Sequence, residues 1–334
     1  MIRVAINGFG RIGRLVFRIM EEDSDFEVVA INDLTDAEQL AYLLKYDTNH
    51  RRYKEKTVGF NDNSIVVGGR SIPVYSETEP SKLPWKDLNV DVVFECTGRF
   101  TEKESAYAHI NAGAKKVIIS APAKGDLKTI VYNVNDNILD GSEDVISAAS
   151  CTTNCLAPVL NLLNKEFGIE KGFMTTVHAY TNDQATLDIA HKKGIYARRG
   201  RAAAANIIPA STGAAKAIGA VIPSLDGRLS GSAIRVPVST GSVIDLVLEL
   251  GKNVTVDDVN SLFKRNVNET LEFTMDPVVS SDIIGETCGA LVDGLLTSIL
   301  EKDGKQLVKV VAWYDNEMGY SAQMVRTAKA LMKK

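Results

Sequence analysis

The chain has 334 residues, of which 45% are hydrophobic and 24% are charged, and its net charge is -4. This composition is ordinary for a globular enzyme and excludes disordered and fibrous classes, and the acidic balance gives no footprint for nucleic-acid binding. No apolar run approaches the ~18 residues of a membrane span, and because the first predicted strand starts at Ile2 we expect no leader peptide. With four cysteines in this length, we expect reduced thiols, no metal site and a cytoplasmic location.

The first half of the sequence alternates between apolar strand signals and helical periodicity. A hairpin rich in strand-forming residues, over 57–74, is inserted in this alternation. Strands that are continuously apolar, with helices between them, are typical of a parallel sheet covered on both faces. The predicted strands are 2–6, 27–31, 91–95 and 116–119, and the predicted helices are 11–20, 36–46 and 102–112.

The pattern changes at Cys151, where a helix is followed by longer strands and by a segment without clear periodicity, 183–206, of the kind that is usually functional. The later predicted strands are 171–179, 232–238, 243–250 and 306–314, and the later predicted helices are 151–167, 214–221, 255–266 and 316–333. We therefore predict an α/β protein in which a Rossmann-type doubly wound parallel sheet is followed by an α+β domain with a mixed or antiparallel sheet. The predicted domains are 1–150 and 151–315, with the last helix, 316–334, packing back onto the first.

The first turn of the predicted parallel sheet carries the glycine pattern Gly8, Gly10 and Gly13, and Asp33 ends the second strand. These glycines permit a tight turn, close approach of the backbone to a pyrophosphate, and close helix–strand packing. A carboxylate at Asp33 accepts hydrogen bonds from a ribose diol and repels a 2′-phosphate, which favours NAD over NADP. The alternative is an ordinary glycine-rich turn with a solvent-facing Asp. The ends of later strands, at Thr97 and Ser120, should rim the same crevice.

A second motif pairs a thiol that opens a helix, Cys151, with an imidazole on a strand, His178. A helix N-terminus and a nearby imidazolium both stabilise a thiolate, and backbone N–H groups of the same turn can hold an oxyanion. A reactive thiol and a dinucleotide site on one chain indicate oxidation of an aldehyde through a covalent thioester. The alternatives are a buried apolar cysteine, which fits Cys96 and Cys288, and a structural histidine. His109 is expected on a helix surface, without a chemical role.

The chain also resembles the phosphorylating glyceraldehyde-3-phosphate dehydrogenases over essentially its whole length. The long motifs that carry this likeness lie at residues 6–14, 147–154, 178–181, 211–216, 235–237 and 313–317. The resemblance implies that Cys151 is the nucleophile, that His178 activates it, and that NAD is the cofactor. Implied NAD contacts are Arg11, Ile12, Asp33, Thr97, Ser120, Asn316 and Tyr320. Implied phosphate contacts are Ser150, Thr152, Thr181, Thr212, Gly213, Arg235 and either Arg198 or Arg199.

The activity that this resemblance implies is oxidative phosphorylation of D-glyceraldehyde 3-phosphate, with NAD and inorganic phosphate, to 1,3-bisphosphoglycerate. It also implies a homotetramer in which the long basic segment packs at the centre, although the cluster 198–201 can equally be a solvated charge run. One alternative is erythrose-4-phosphate dehydrogenase, which shares the scaffold but releases the acid. A second is an interaction protein that has lost catalysis. Ala190 stands where many NAD-specific members have Pro, which leaves some NADP use open.

Overall fold

The computed structural model describes residues 1–191 and 194–334, which divide into two compact units. The first unit comprises Met1–Tyr132, Asp136–Ser150 and Ser321–Lys334, and the second comprises Asn133–Asn135 and Cys151–Tyr320. None of the helices within the described ranges is both long and apolar enough to cross a membrane.

The first unit is built on one eight-stranded sheet with helices between its strands. The strands are β1 (Ile2–Asn7), β2 (Phe26–Asn32), β3 (Val58–Asn61), β4 (Ser64–Val67), β5 (Arg70–Tyr75), β6 (Val92–Glu95), β7 (Lys116–Ile119) and β8 (Val145–Ser147). The helices are α1 (Arg11–Glu21), α2 (Ala37–Lys45), α3 (Lys103–Ala106) and α4 (Ala108–Asn111). The strand order is β3-β4-β5-β2-β1-β6-β7-β8, and every pair from β5 to β8 is parallel.

This arrangement confirms the predicted parallel sheet and shows why its central strands are so apolar. Ile6 on β1 pairs with Ile31 on β2 and with Phe94 on β6, and all three side chains are buried. Helix α2 begins where the Asp36 carboxylate accepts the Gln39 N–H at 2.8 Å, a side-chain cap of the expected kind. The hairpin β3–β4 extends the same sheet through antiparallel pairing with β5.

Two features of the first unit differ from the sequence-based expectations. The predicted helix 102–112 is two short helices, α3 and α4, and its residue His109 is fully buried rather than on the surface. Strand β8 was not expected, because a run of three residues is too short to show a periodicity.

The second unit has a mixed sheet, as predicted. Its strands are β9 (Ile169–Ala179), β10 (Ile208–Ser211), β11 (Leu229–Val236), β12 (Ser242–Leu250), β13 (Leu271–Thr274), β14 (Ala290–Asp293), β15 (Ser298–Lys302) and β16 (Lys305–Tyr314). Its helices are α5 (Cys151–Phe167), α6 (Ala214–Val221) and α7 (Val256–Arg265), and α8 (Met318–Met332) begins here and continues into the first unit. The order is β10-β11-β9-β12-β16-β14-β13, with β15 beside β16.

The centre of this sheet positions the catalytic candidates. Strand β9 runs parallel to β11 and antiparallel to β12, and its last residues, His178 and Ala179, lie beside Arg235 and Val236 of β11. The described part of 183–206 contains short 3₁₀ turns at Arg198–Gly200 and Ala203–Ala205. Lys192 and Lys193, within this segment, lie outside the described residues.

Candidate active site

A cavity in the first unit lies at the carboxyl ends of neighbouring parallel strands, where ligands bind in sheets of this type. Its lining residues are Asn7, Gly8, Gly10, Asn32, Asp33, Leu34, Glu77, Thr78, Cys96, Thr97, Arg99 and Phe100. The set includes four residues predicted for the cofactor and the half-buried thiol of Cys96. Desolvation raises the pKa of this thiol, as expected for a buried, unreactive cysteine.

Each glycine of the fingerprint has a different physical reason to lack a side chain. Gly8 has φ +91°, and a Cβ there would lie 2.7 Å from the Thr97 nitrogen. A Cβ on Gly13 would lie 2.2 Å from the Gly8 carbonyl oxygen, so this position allows helix α1 to pack on the turn. Gly10 lines the cavity with open space on its side-chain side, which lets its backbone approach a ligand.

The carboxylate of Asp33 is fixed at the cavity by two backbone donors. Its oxygens accept the N–H of Phe9 at 2.7 Å and the N–H of Thr35 at 3.0 Å. A fixed anion beside a glycine-rich helix start suits a ribose diol and opposes a 2′-phosphate. The donors and the open face of Gly10 fit a dinucleotide such as NAD.

Four of the other residues predicted for the cofactor lie outside the described lining of this cavity. The guanidinium of Arg11 forms a two-pronged ion pair with Asp47, with Nη2 and Oδ1 3.1 Å apart. Gly13 serves helix packing, and Ile12 is half-buried in α1. The Ser120 N–H donates to the carbonyl of Glu95 at 3.0 Å. A direct role for these residues in cofactor binding stays a prediction.

The second unit brings Cys151 and His178 together. Cys151 is the first residue of α5, and its Sγ lies 3.5 Å from Nε2 of His178. The other ring nitrogen, Nδ1, lies 2.7 Å from the carbonyl oxygen of Ala179. A carbonyl only accepts, so Nδ1 carries the proton and Nε2 presents its lone pair to the thiol. The ring is therefore oriented to take a proton from sulfur or from a group bound to the site.

Burial shifts both members of this pair towards their neutral forms. Desolvation raises the pKa of Cys151, and the charge of Arg235 offsets part of that increase. Desolvation, followed by the charge of Arg235, lowers the pKa of His178 to about 4. The expected preformed imidazolium is therefore replaced by a neutral imidazole at neutral pH, and the pair is a thiol beside a base.

Next to the pair, Arg235 is held by neutral oxygens. Its Nη1 donates to the carbonyl of Ala179 at 3.1 Å, to the hydroxyl of Thr181 at 2.8 Å and to Gln184 Oε1 at 3.5 Å. Ala179 thus accepts from both His178 and Arg235 through one carbonyl. The structure brings the predicted pair Thr181 and Arg235 together beside the thiol, in a place suited to an anionic substrate group.

The arginine cluster contributes a second cation to this region. Desolvation lowers the pKa of Arg235, and the charge of Arg199, which pairs with Asp183, lowers it further. Arg198 and Arg199 both line a cleft of about 640 Å³ that also contains Asp183 and Ser211. Of the two arginines left open by the sequence, Arg199 is therefore the one whose charge acts on Arg235.

The remaining predicted residues of the second unit occupy three other places. The amide oxygen of buried Asn316 accepts from Ser242 Oγ at 2.7 Å, which fixes the orientation of this amide. Thr212 Oγ1 accepts the Ala214 N–H at 3.2 Å where α6 starts, and Gly213 is the cap residue. Tyr320, in the first turn of α8, is buried.

The sequence reasoning gave no role to Tyr314, which ties the catalytic helix to the catalytic strand. Its hydroxyl lies 2.9 Å from Oγ1 of Thr152 on α5 and 2.8 Å from Oγ1 of Thr176 on β9. Its ring meets the His178 ring edge to face at 5.9 Å. The side chain of Thr152 also interacts with the thiol of Cys151. Ser150 directly precedes α5 in the chain. The sequence signals were the position of Tyr314 at the end of a predicted strand and its place in the motif 313–317.

A dinucleotide-type sheet and a thiol facing a base define the class of the chain as an NAD-dependent oxidoreductase. Two family profiles, described as the NAD binding domain and the C-terminal domain of glyceraldehyde 3-phosphate dehydrogenase, match residues 2–103 and 150–316. The chain belongs to the glyceraldehyde 3-phosphate dehydrogenase family.

Relatives with this name resemble the chain over nearly its full length. The glyceraldehyde-3-phosphate dehydrogenase of Clostridium pasteurianum is 59% identical over 333 residues, covering 100% of this chain and 99% of the relative. That of Clostridium acetobutylicum is 58% identical over 327 residues, covering 98% and 97%. That of Streptococcus pyogenes is 54% identical over 334 residues, covering 100% and 99%.

Proposed function

We propose that this protein oxidises D-glyceraldehyde 3-phosphate with NAD and joins the acyl group to inorganic phosphate, giving 1,3-bisphosphoglycerate. The observation that carries the chemistry is the position of Cys151 Sγ, which lies 3.5 Å from Nε2 of His178. The names of the full-length relatives support this substrate over erythrose 4-phosphate. Retention of the thiol, the base and Arg235 argues against an interaction protein that has lost catalysis.

The first step uses the neutral pair directly. Cys151 adds to the aldehyde carbon as its proton moves to Nε2 of His178, and Nε2 then passes that proton to the aldehyde oxygen, which gives a hemithioacetal and restores the neutral imidazole. In the next step Nε2 accepts the proton of the hemithioacetal hydroxyl as the hydride leaves the same carbon, and a thioester remains on Cys151. Backbone N–H groups at the start of α5 stabilise the oxygen on which charge develops.

NAD supplies the hydride acceptor for this oxidation when it is bound. We assign its adenosine half to Gly8, Gly10, Asp33 and Thr97. The oriented amide of Asn316 is suited to its carboxamide, because the amide oxygen is already held by Ser242. The thioester conserves the energy of oxidation for acyl transfer, which hydration to an acid would lose.

Two anions must be held for this reaction, and the second unit offers two sets of donors. Thr181 and Arg235, 2.8 Å apart at their polar atoms, suit the phosphate of the substrate. The turn Thr212–Gly213, with the N–H groups that open α6, suits inorganic phosphate. Arg199 adds positive charge beside Arg235, and the sequence-based assignment of Arg198 stays a prediction.

NADH absorbance tests the proposal. With D-glyceraldehyde 3-phosphate and phosphate, NADH should form over many turnovers. Without phosphate, formation should stop after about one NADH per active site, because the thioester has no acceptor. Sustained turnover without phosphate, or a preference for erythrose 4-phosphate, would contradict it.

For the organisation of the protein we propose a NAD-binding domain over 1–150 with the helix from 316–334, and a catalytic domain over 151–315. We also propose a cytoplasmic homotetramer. Size-exclusion chromatography with light scattering tests the assembly, and a mass of one 36.2 kDa chain in solution would refute it.

A further inference from the structure

A buried carboxylate–imidazole pair in the first unit takes no part in the proposed chemistry. Glu95 and His109 are 1% and 0% exposed, and Glu95 Oε2 lies 3.2 Å from His109 Nε2. The indole N–H of Trp85 donates to His109 Nδ1 at 2.9 Å. An indole nitrogen only donates, so Nδ1 of His109 accepts and the imidazole proton is on Nε2. This Nε2–H donates a hydrogen bond to Glu95. Such a buried ionisable pair requires a reason, because burial of a charge is costly.

Glu95 accepts hydrogen bonds from the last residue of β1, from the loop after β6 and from helix α4. Its Oε1 accepts the N–H of Thr97 at 2.8 Å and the Thr97 hydroxyl. Its Oε2 accepts from Nδ2 of Asn7 at 2.5 Å, in addition to His109. Asn7 and Thr97 both line the cofactor cavity, while His109 lies outside its described lining.

The contacts continue across the sheet. Asn7 Oδ1 accepts from Asn32 Nδ2 at 2.7 Å, and the Asn32 amide exchanges two hydrogen bonds of 2.9 Å with the backbone of Glu77. The carboxyl ends of β6, β1, β2 and β5 are thus joined by one chain of side-chain hydrogen bonds. Asn7, Asn32, Glu77 and Thr97 are all cavity-lining residues.

The turn at Gly8 packs against the loop that Glu95 holds. A Cβ on Gly8 would lie 2.7 Å from the Thr97 nitrogen, so the two loops are in direct contact. That same Thr97 N–H is the one held by Glu95. A shift of the Thr97 loop would therefore change the width of the cavity at the phosphate-binding turn.

We propose that Glu95, oriented by His109, is a positioning residue for NAD: it fixes the Thr97 loop against the Gly8 turn and so sets the shape of the cofactor cavity. This proposal rests on NAD binding alone and not on the aldehyde that is oxidised. It follows that weakening the pair should reduce cofactor affinity while leaving the chemistry in the second unit intact at saturating NAD.

The primary test is Glu95→Gln in the full-length chain. The amide keeps the shape but places an NH2 group against N–H donors. We expect the Kd and KM for NAD to increase about tenfold, in line with the loss of hydrogen bonds to a charged group. We expect kcat at saturating NAD to stay within about twofold of wild type. Calorimetric titration with NAD in the absence of aldehyde separates this result from any failure of the proposed reaction.

A matched control is Glu143→Gln, which also alters a buried carboxylate of the first unit. Glu143 accepts from Lys128 and from the backbone of Asp140 and Gly141, and lies outside the described cavity lining. This variant should lower Tm and leave the Kd for NAD unchanged. If it raises the Kd as much as Glu95→Gln does, the effect is general destabilisation and the proposal is wrong.

The His109 variants decide the matter if Glu95→Gln does not fold. His109→Gln can still donate to Glu95 and accept from Trp85, whereas His109→Leu can do neither. We expect His109→Leu to weaken NAD binding and His109→Gln to restore most of the affinity. Equal NAD affinity in both variants and in wild type would overturn the proposal.

Discussion

The cofactor cavity and the thiol site treat buried polar groups in opposite ways. Outside the cavity lining but in the same unit, Glu95 accepts from four donors and Arg11 is paired with Asp47, so charge is compensated within the protein. In the thiol site, Cys151 and His178 are both pushed towards neutrality, and the hydrogen bonds of Arg235 go to neutral oxygens.

The difference follows from what each region has to do. A binding frame must keep one shape, and satisfied hydrogen bonds are what fix a buried polar network. The thiol and the imidazole must exchange a proton during the reaction. An environment that strongly stabilises neither the thiolate nor the imidazolium leaves both groups able to do so. Changes to residues of the thiol site should therefore affect the rate of the reaction. Changes to the polar network around the cofactor cavity should affect the affinity for NAD.

The largest effect should come from removal of the sulfur. Cys151→Ser should lower kcat/KM for the aldehyde by more than about 10⁴-fold, because a hydroxyl beside a neutral imidazole is a far weaker nucleophile. Mass spectrometry of quenched reactions should show an acyl adduct on wild type and none on the variant. Cys288→Ala, which changes a thiol buried with Ile283 and Leu291, should retain the adduct. Activity of Cys151→Ser equal to wild type would remove the basis for the mechanism.

Loss of the base should have the next largest effect. His178→Asn should slow the hydride-transfer step by about 10²–10⁴-fold, the usual contribution of a positioned base. Affinity for NAD should stay unchanged, since His178 is not among the residues assigned to the cofactor. Single-turnover formation of NADH at the wild-type rate would show that His178 is structural, and would also weaken the contrast between the two regions.

The same histidine should make stability depend on pH. The folded pKa of about 4 is below the unfolded value of about 6.5, so the unfolded chain binds more protons between these values. The contribution of His178 to stability is therefore complete above pH 6.5 and is lost as the pH falls towards 4. Between pH 7 and pH 5 the loss should be about 2 kcal/mol.

Urea unfolding of three proteins checks this pH dependence. Wild type and Cys151→Ser should both lose stability from pH 7 to pH 5, because both keep the imidazole. The loss of stability in His178→Asn should be smaller by about 2 kcal/mol, because this variant lacks the imidazole. If the free energy of unfolding changes equally between pH 7 and pH 5 in all three proteins, the imidazole is not desolvated in solution.

The sequence predicted the frame of the fold well and the polar contacts within it poorly. Strand β7 and helix α6 have the predicted bounds, because both are apolar runs with clear breaks at their ends. Asn7 contacts Glu95 and His109, which are 88 and 102 positions away in the sequence. No local sequence pattern can predict contacts between residues so far apart. The burial of His109 was also not predicted. Its segment forms two short helices, and the expected surface position assumed one continuous helix.

At the thiol site, residue types were predictable and their charges were not. The motifs placed Cys151 with His178 and Thr181 with Arg235, and the structure brings each pair together. The sequence could not show that burial keeps the imidazole neutral, because desolvation depends on packing from several strands. It also could not choose between neighbouring arginines, which requires the direction of each side chain.

The smallest effect concerns Tyr314, which joins the catalytic helix to the catalytic strand within the second unit. Tyr314→Phe leaves the hydroxyls of Thr152 and Thr176 without their partner, so the free energy of unfolding should fall by about 1–3 kcal/mol. Adding Thr176→Val removes one of these unpaired groups, and the double variant should be more stable than the sum of the single losses predicts. If Tyr314 also sets the distance between Cys151 and His178, kcat should fall several-fold in Tyr314→Phe with the KM for NAD unchanged. A full-rate enzyme with additive stability losses would make Tyr314 a passive core residue.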